Sequence, residues 1–104
     1  SIVLSPSGDN KNSYYEPEKP EEMLKRISYI SYLNNNMQKA IKYFTQWAEY
    51  SENYVPYLYI SYAYENLYKQ TNNEKYLDFA KEFAGFAKTI APENNYVKEQ
   101  ILAL

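Results

Sequence analysis

The chain is expected to be all-α, a stack of antiparallel helical hairpins, and three observations point there. Leu24-Lys25-Arg26-Ile27-Ser28 stands ahead of Ala40-Ile41-Lys42-Tyr43-Phe44, and Tyr57-Leu58-Tyr59-Ile60-Ser61 stands ahead of Ala80-Lys81-Glu82-Phe83-Ala84. The Ile-Ser pair recurs after 33 residues and the Ala-centred block after 40. Apolar residues fall at helical spacing in the segments between, and Asn34-Asn35-Asn36, Thr71-Asn72-Asn73 and Pro92 with Asn94-Asn95 punctuate them. A unit of this kind cannot bury its apolar face alone, so copies stack and present a shared surface. That favours binding over chemistry.

Residues 1–20 differ from the remainder. Pro6, Gly8, Pro17 and Pro20, with Asp9, Asn10 and Asn12, describe an extended or mobile arm whose apolar residues are Ile2, Val3, Leu4, Tyr14 and Tyr15. The run from Asp9 to Asn12 is not a calcium loop. Lys11 occupies a ligand position, and Pro20 stands where the bidentate glutamate belongs.

Pro20 with Glu21 and Glu22 starts helix 1, since proline is tolerated in a first turn and carboxylates there oppose the positive end of the dipole. Met23, Leu24, Ile27, Ile30 and Ser31 make its stripe, which ends near Leu33. Helix 2 covers about Met37 to Tyr50, with Met37, Ala40, Ile41, Phe44, Trp47 and Ala48 inward. Ser51 or Asn53 caps the next helix, and Pro56 lies in its first turn. Tyr57 to Tyr64 has high strand propensity. Helix is nevertheless expected, because Tyr57, Ile60, Ser61, Tyr64, Leu67 and Tyr68 keep helical spacing up to Thr71 and a lone strand would lack a partner. Helix 4 spans Glu74 to Ile90 with Tyr76, Leu77, Ala80, Phe83, Ala84 and Ala87 inward, and Gly85 is expected to admit a close neighbour. A short helix from Tyr96 to Leu104 offers Val97, Ile101, Leu102 and Leu104, and either caps the stack or marks where further repeats begin.

Composition narrows function. The 104 residues contain no cysteine and no histidine, which removes disulfides, thiolate and imidazole metal sites and most nucleophilic triads, and no cofactor is expected. A net charge of -2 with mixed signs provides no field for a nucleic-acid backbone. No uncharged stretch, Tyr54 to Tyr64 included, approaches the roughly 20 apolar residues of a membrane span. The acid pairs Glu16/Glu18, Glu21/Glu22 and Asp78/Glu82 fall on the arm, at a helix start and on a solvated face beside Lys75 and Lys81, so catalysis is not expected. Neither Gly8 nor Gly85 lies in a phosphate-cradling motif. Fourteen tyrosines, with generous asparagine, lysine and isoleucine, fit a coding sequence biased toward A and T, yet each ring must still sit where its body packs and its hydroxyl finds water or a partner.

Leu24, Ile27 and Ser28 form a large-large-small set, followed by Ala40 and Phe44, with Asn35 at the turn between. Tyr57, Ile60, Ser61 and Tyr64 form a second set, followed by Ala80, Ala87 and Pro92. These residues, spanning Glu21 to Pro92, resemble the tetratricopeptide repeat, whose unit is a helix-turn-helix of about 34 residues. Trp47 replaces a family alanine, and the second half is seven residues longer than the norm. Lengthening both helices of one hairpin would absorb the difference nearly in phase. The resemblance implies an arm over 1–20 and, over 21–104, two repeat-like units plus a capping helix, a fragment of a right-handed α-solenoid. A generic four- or five-helix bundle is the alternative.

The resemblance further implies a groove lined by the first helix of each unit, receiving a peptide or a segment of another protein. Its projected positions are Lys25, Tyr29 and Tyr32, then Leu58, Tyr62, Glu65 and Asn66, with Lys69 one turn on. Tyrosine suits such a surface because it gives contact area at low entropic cost. For Tyr29 and Tyr32 plain helix packing is the competing reading. Tyr29 stands where the carboxylate-clamping members of the family have asparagine, so a terminal carboxylate is not the expected ligand. Two other functions remain open: self-assembly, including a homodimer, through the apolar ends Ile2-Val3-Leu4 and Ile101-Leu102-Leu104, and carbohydrate binding by Tyr29, Tyr32 and Tyr62.

Overall fold

The computed structural model of the chain describes residues 19–104. Among them are five helices and no strand: α1 (Pro20–Leu33), α2 (Met37–Ala48), α3 (Tyr54–Thr71), α4 (Glu74–Ile90) and α5 (Asn95–Ala103). The expected arm, with Ile2, Val3, Leu4 and the Glu16/Glu18 pair, lies outside the described residues except for Lys19 and Pro20. Pro20 already opens α1.

Asparagine sets the helix boundaries. Four of the five helices begin on an asparagine whose side chain accepts a backbone N–H of the first turn: Asn36 from Lys39, Asn53 from Val55, Asn73 from Lys75 and Asn94 from Val97. Such a cap is worth about 1 kcal/mol, because it satisfies a donor that the helix itself leaves open. Asn35 and Asn72 adopt left-handed backbone, with φ of 61° and 58°, which asparagine tolerates better than most residues. Around the first of these, the Asn36 amide reaches back to the Ser31 carbonyl at 2.9 Å and closes α1. The asparagine excess is thus spent on punctuation.

The helices pack in chain order, α1 on α2, α2 on α3, α3 on α4, with α5 against α4 and α3. The result is elongated, 56 × 30 × 19 Å. The second hairpin is the longer in both arms, with 18 and 17 residues in α3 and α4 against 14 and 12 in α1 and α2. This division accounts for the unequal recurrence in the sequence. Tyr54 to Tyr64 lies inside α3, and its strand propensity yields to burial between two neighbouring helices.

The seam between α3 and α4 is made of small residues. Ser61, Ala80, Ala84 and Ala87 are each at most 1% exposed, and the Ser61 hydroxyl donates to the Ala80 carbonyl at 2.7 Å. From α5, Gln100 Nε2 donates to the same hydroxyl at 3.2 Å and to Glu65 Oε1 at 3.0 Å. Ser28 and Ser31, also buried, return their hydroxyls to the carbonyls of Leu24 and Ile27 in their own helix. Phe44 and Trp47 fill the first hairpin, and the indole N–H donates to Glu21 Oε2 at 3.2 Å. Glu21 therefore partners a core ring besides facing the helix dipole. Trp47, which the family resemblance made a misfit, is fully packed.

Several expectations need correction. Met23 and Ile30 are 52% and 50% exposed, because α1 ends the described stack and only its Leu24, Ser28 and Ser31 side faces α2. α2 stops at Ala48, two residues short of Tyr50, where Glu49 and Tyr50 form a turn. Leu102 is 86% exposed on the outer side of α5, away from Val97 and Gln100. Gly85 admits no neighbour: it lies exposed, and a Cβ built there would meet nothing within 4 Å.

Gly85 therefore weakens α4 without serving packing. Gly85→Ala is expected to raise stability by about 0.5–1 kcal/mol, measured by urea denaturation, since helical alanine loses less backbone entropy and has open space for its methyl.

Candidate functional site

Rings from α1 and α3 meet on one face of the stack. Tyr59 is the hub. Its ring lies 5.2 Å from Tyr29, 5.3 Å from Tyr32 and 5.3 Å from Tyr62, in each case edge to face, and stacks on buried Phe44 at 5.2 Å. Tyr29 also meets Phe44 and Trp47 edge-on, at 5.6 and 5.8 Å. Edge-to-face pairs of this kind place the positive rim of one ring on the negative face of the next, at about 0.5–1.5 kcal/mol each beyond area burial. All four tyrosines are half-buried. Their bodies belong to the core and their tips to the surface, so packing and presentation coexist in one side chain.

The hydroxyls differ in their partners. Tyr32 accepts from Asn66 Nδ2 at 3.4 Å, and Asn66 also approaches the Met37 sulfur. Those of Tyr29, Tyr59 and Tyr62 form no hydrogen bond among the described residues. Burial, chiefly, pushes Tyr29 and Tyr62 above the ordinary phenol value of 10.0, with neighbouring phenols adding to it and, at Tyr62, the carboxylates of Glu99 and Glu65 as well. Burial likewise raises Tyr32, against the lowering pull of Asn66. Around neutral pH these groups are neutral donors and acceptors.

Of the residues expected at the site, Tyr29, Tyr32, Tyr62, Glu65 and Asn66 come together here. Lys69 sits at the edge, its ammonium 3.4 Å from Glu65. Lys25 pairs with Glu22 at 3.6 Å and lies over the Trp47 ring at 5.5 Å, which places it beside the α1/α2 seam. Leu58 does not reach this surface. It is 4% exposed, packed with Ala87 and Val97, because α5 covers that part of α3. Tyr59 was missed, since it falls between the inward stripe and the projected groove positions. The uncharged stretch Tyr54 to Tyr64 was its signal: a helix apolar all round is covered on several sides.

α4 carries a second aromatic seam, packed against Tyr57 and Tyr64 of α3. Tyr76, Phe79, Phe83, Phe86 and Ile90 alternate spacings of three and four, and Phe79, Phe86 and Ile90 remain 40%, 44% and 38% exposed. A crevice of about 330 Å³ opens there between α2 and α4, lined among others by Ile41, Lys42, Tyr64 and Phe79. Tyr64, raised above 10.0 by burial and then by Tyr76 and Glu82, packs against Tyr76, Phe79 and Phe83.

Four phenols with raised values make the fold alkali-sensitive. Between the unfolded value near 10 and the higher folded values, the unfolded chain binds fewer protons, so stability falls as pH rises. The urea midpoint is expected to hold up to about pH 9 and to drop as the pH rises past the ordinary phenol value of about 10. Tyr62→Phe should lessen the drop.

Comparisons with protein-family models, with curated proteins and with solved structures find no match to this chain, so its likeness to a repeat family rests on its own residues.

Proposed function

We propose that the chain is a tetratricopeptide-like, non-catalytic interaction module whose α1/α3 face binds an extended peptide or protein segment. The observation that carries this reading is the row of three half-buried phenols, Tyr29, Tyr59 and Tyr62, whose rings are fixed by edge-to-face packing and whose hydroxyls have no partner among the described residues. An extended backbone offers an amide and a carbonyl at each residue, which matches a row of neutral donor-acceptor groups. The fixed rings spare the ordering cost that flexible side chains incur on binding. Stacking on sugars draws less support, because neighbouring rings stand 81° and 82° apart and form no flat platform.

The test separates hydroxyls from rings. With peptides selected from a randomised library as ligands, Tyr29→Phe, Tyr59→Phe and Tyr62→Phe combined are expected to keep the fold and its denaturation midpoint while weakening binding about tenfold or more. Unchanged affinity in the folded triple variant, or failure of any peptide to be selected, would sink the reading.

Self-association is the second reading, favoured by the exposed α4 seam and by Leu102. It predicts a weight-average mass that rises with concentration in sedimentation, and falls back to that of one chain in Phe79→Gln/Phe86→Gln. A single chain at all concentrations rejects it.

A further inference from the structure

We infer that the segment bound by the tyrosine face carries a lysine or arginine, seated at the end of the face formed by Tyr62, Glu65 and Glu99. This rests on the peptide-binding reading above and adds the chemistry of the ligand. The α1/α3 face is not electrically uniform. At its α5 end, Tyr62 packs against the cluster of Leu58, Ala87 and Val97, and Gln100 of α5 donates to Glu65 at 3.0 Å, so that Glu99, the residue before Gln100, lies at the same end as Glu65 and both carboxylates act on the Tyr62 hydroxyl. Glu65 is engaged, accepting from Gln100 and pairing with Lys69. Glu99 is exposed and has no ion pair among the described residues. Lys98, the cation beside it in sequence, is drawn to Glu93 at 3.1 Å. Two carboxylates against one ammonium leave this end net negative.

The middle of the face is neutral, built from Tyr29, Tyr32, Tyr59 and Asn66. Lys25 is committed to Glu22 and to the Trp47 ring. An extended segment lying across the phenols from α1 to α3 thus meets a carboxylate free of an ion pair where it reaches α5. There it also meets Tyr62, whose π face attracts a cation. An acidic side chain at that point would face Glu99 with no cation to offset it. A neutral one would leave Glu99 unused. The combination of an aromatic ring and an unpaired carboxylate, 100° round α5 from the buried Gln100, selects a positive charge at one position of the ligand and says nothing of the others.

The experiment is a selection from a randomised, unstructured decapeptide library, run on the whole chain and on Glu99→Gln and Glu99→Lys. Glu99 is exposed and makes no hydrogen bond or ion pair among the described residues, so both variants should keep their helical circular dichroism. Expected are peptides with Lys or Arg recurring at one position, a fluorescent selected peptide that binds Glu99→Gln about fivefold more weakly, and selection of Asp or Glu at that position by Glu99→Lys. Replacing the basic residue of the peptide by Gln should cost affinity with the natural chain and nearly none with Glu99→Gln. Peptides that depend on Tyr59 and Tyr62 but show no basic position would overturn this inference and leave the peptide-binding face intact. Equal losses with both chains would place the cation elsewhere and overturn it too. If no peptide is selected, the reading beneath it fails as well.

Discussion

The hydrogen bond from the Ser61 hydroxyl to the Ala80 carbonyl sets how closely α3 and α4 approach, and the C-terminal half is built on that distance. A hydroxyl can be buried here because it is fully used, donating to one helix and accepting Gln100 from another. Three alanines on α4 leave no bulk to hold the helices apart, so Ala80, Ala84 and Ala87 touch α3 or α5 and are closed to water. With α4 drawn in on this side, its larger residues, Tyr76, Phe79, Phe83 and Phe86, are turned toward the edge of the seam. The exposed aromatic strip is the geometric complement of the alanine strip.

α3 faces two ways at once. Ser61 and Leu58 look toward α4 and α5, while Tyr59 carries the ring contact to α1, with Tyr62 packed beside it. A helix with four neighbours has no fully solvated side, which is why its N-terminal half can go eleven residues without a charge. Charged residues return at Glu65, which is still covered by Gln100 of α5, and at exposed Lys69 one turn on.

Much of this was legible in the residues. Helix order, the longer second hairpin and the inward faces of α2 and α4 followed from spacing and from asparagine at the turns, because each of those helices has a partner on the side where its apolar residues cluster. α1 was legible in extent but not in rotation: Met23 and Ile30 satisfy the helical period as well as Ser28 does, and periodicity cannot tell which side a terminal helix turns to the stack. Leu58 and Tyr59 were misplaced or missed for a related reason. Their surroundings depend on where α5 and α1 settle against α3, contacts between residues some 30 to 40 apart that no local pattern encodes. Glu99 lay outside the projected site because the short last helix was expected to cap the stack or lead into further repeats, whereas its Gln100 reaches across to Glu65.

The tyrosine face inherits its rigidity from the first hairpin. Tyr59 stacks on Phe44 with an interplanar angle of 15°, and Phe44 stacks in turn on Trp47 at 30°. Tyr29 leans on both of these buried rings. No loop intervenes between the core and the hydroxyls, so displacement of a phenol requires repacking of rings that are 0% and 1% exposed. A surface organised in this way presents its hydroxyls in one arrangement and leaves the adjustment to the ligand. That favours an extended, pliable segment, which can shape its backbone to a fixed row of phenols, over a folded partner that would need a matching surface in advance.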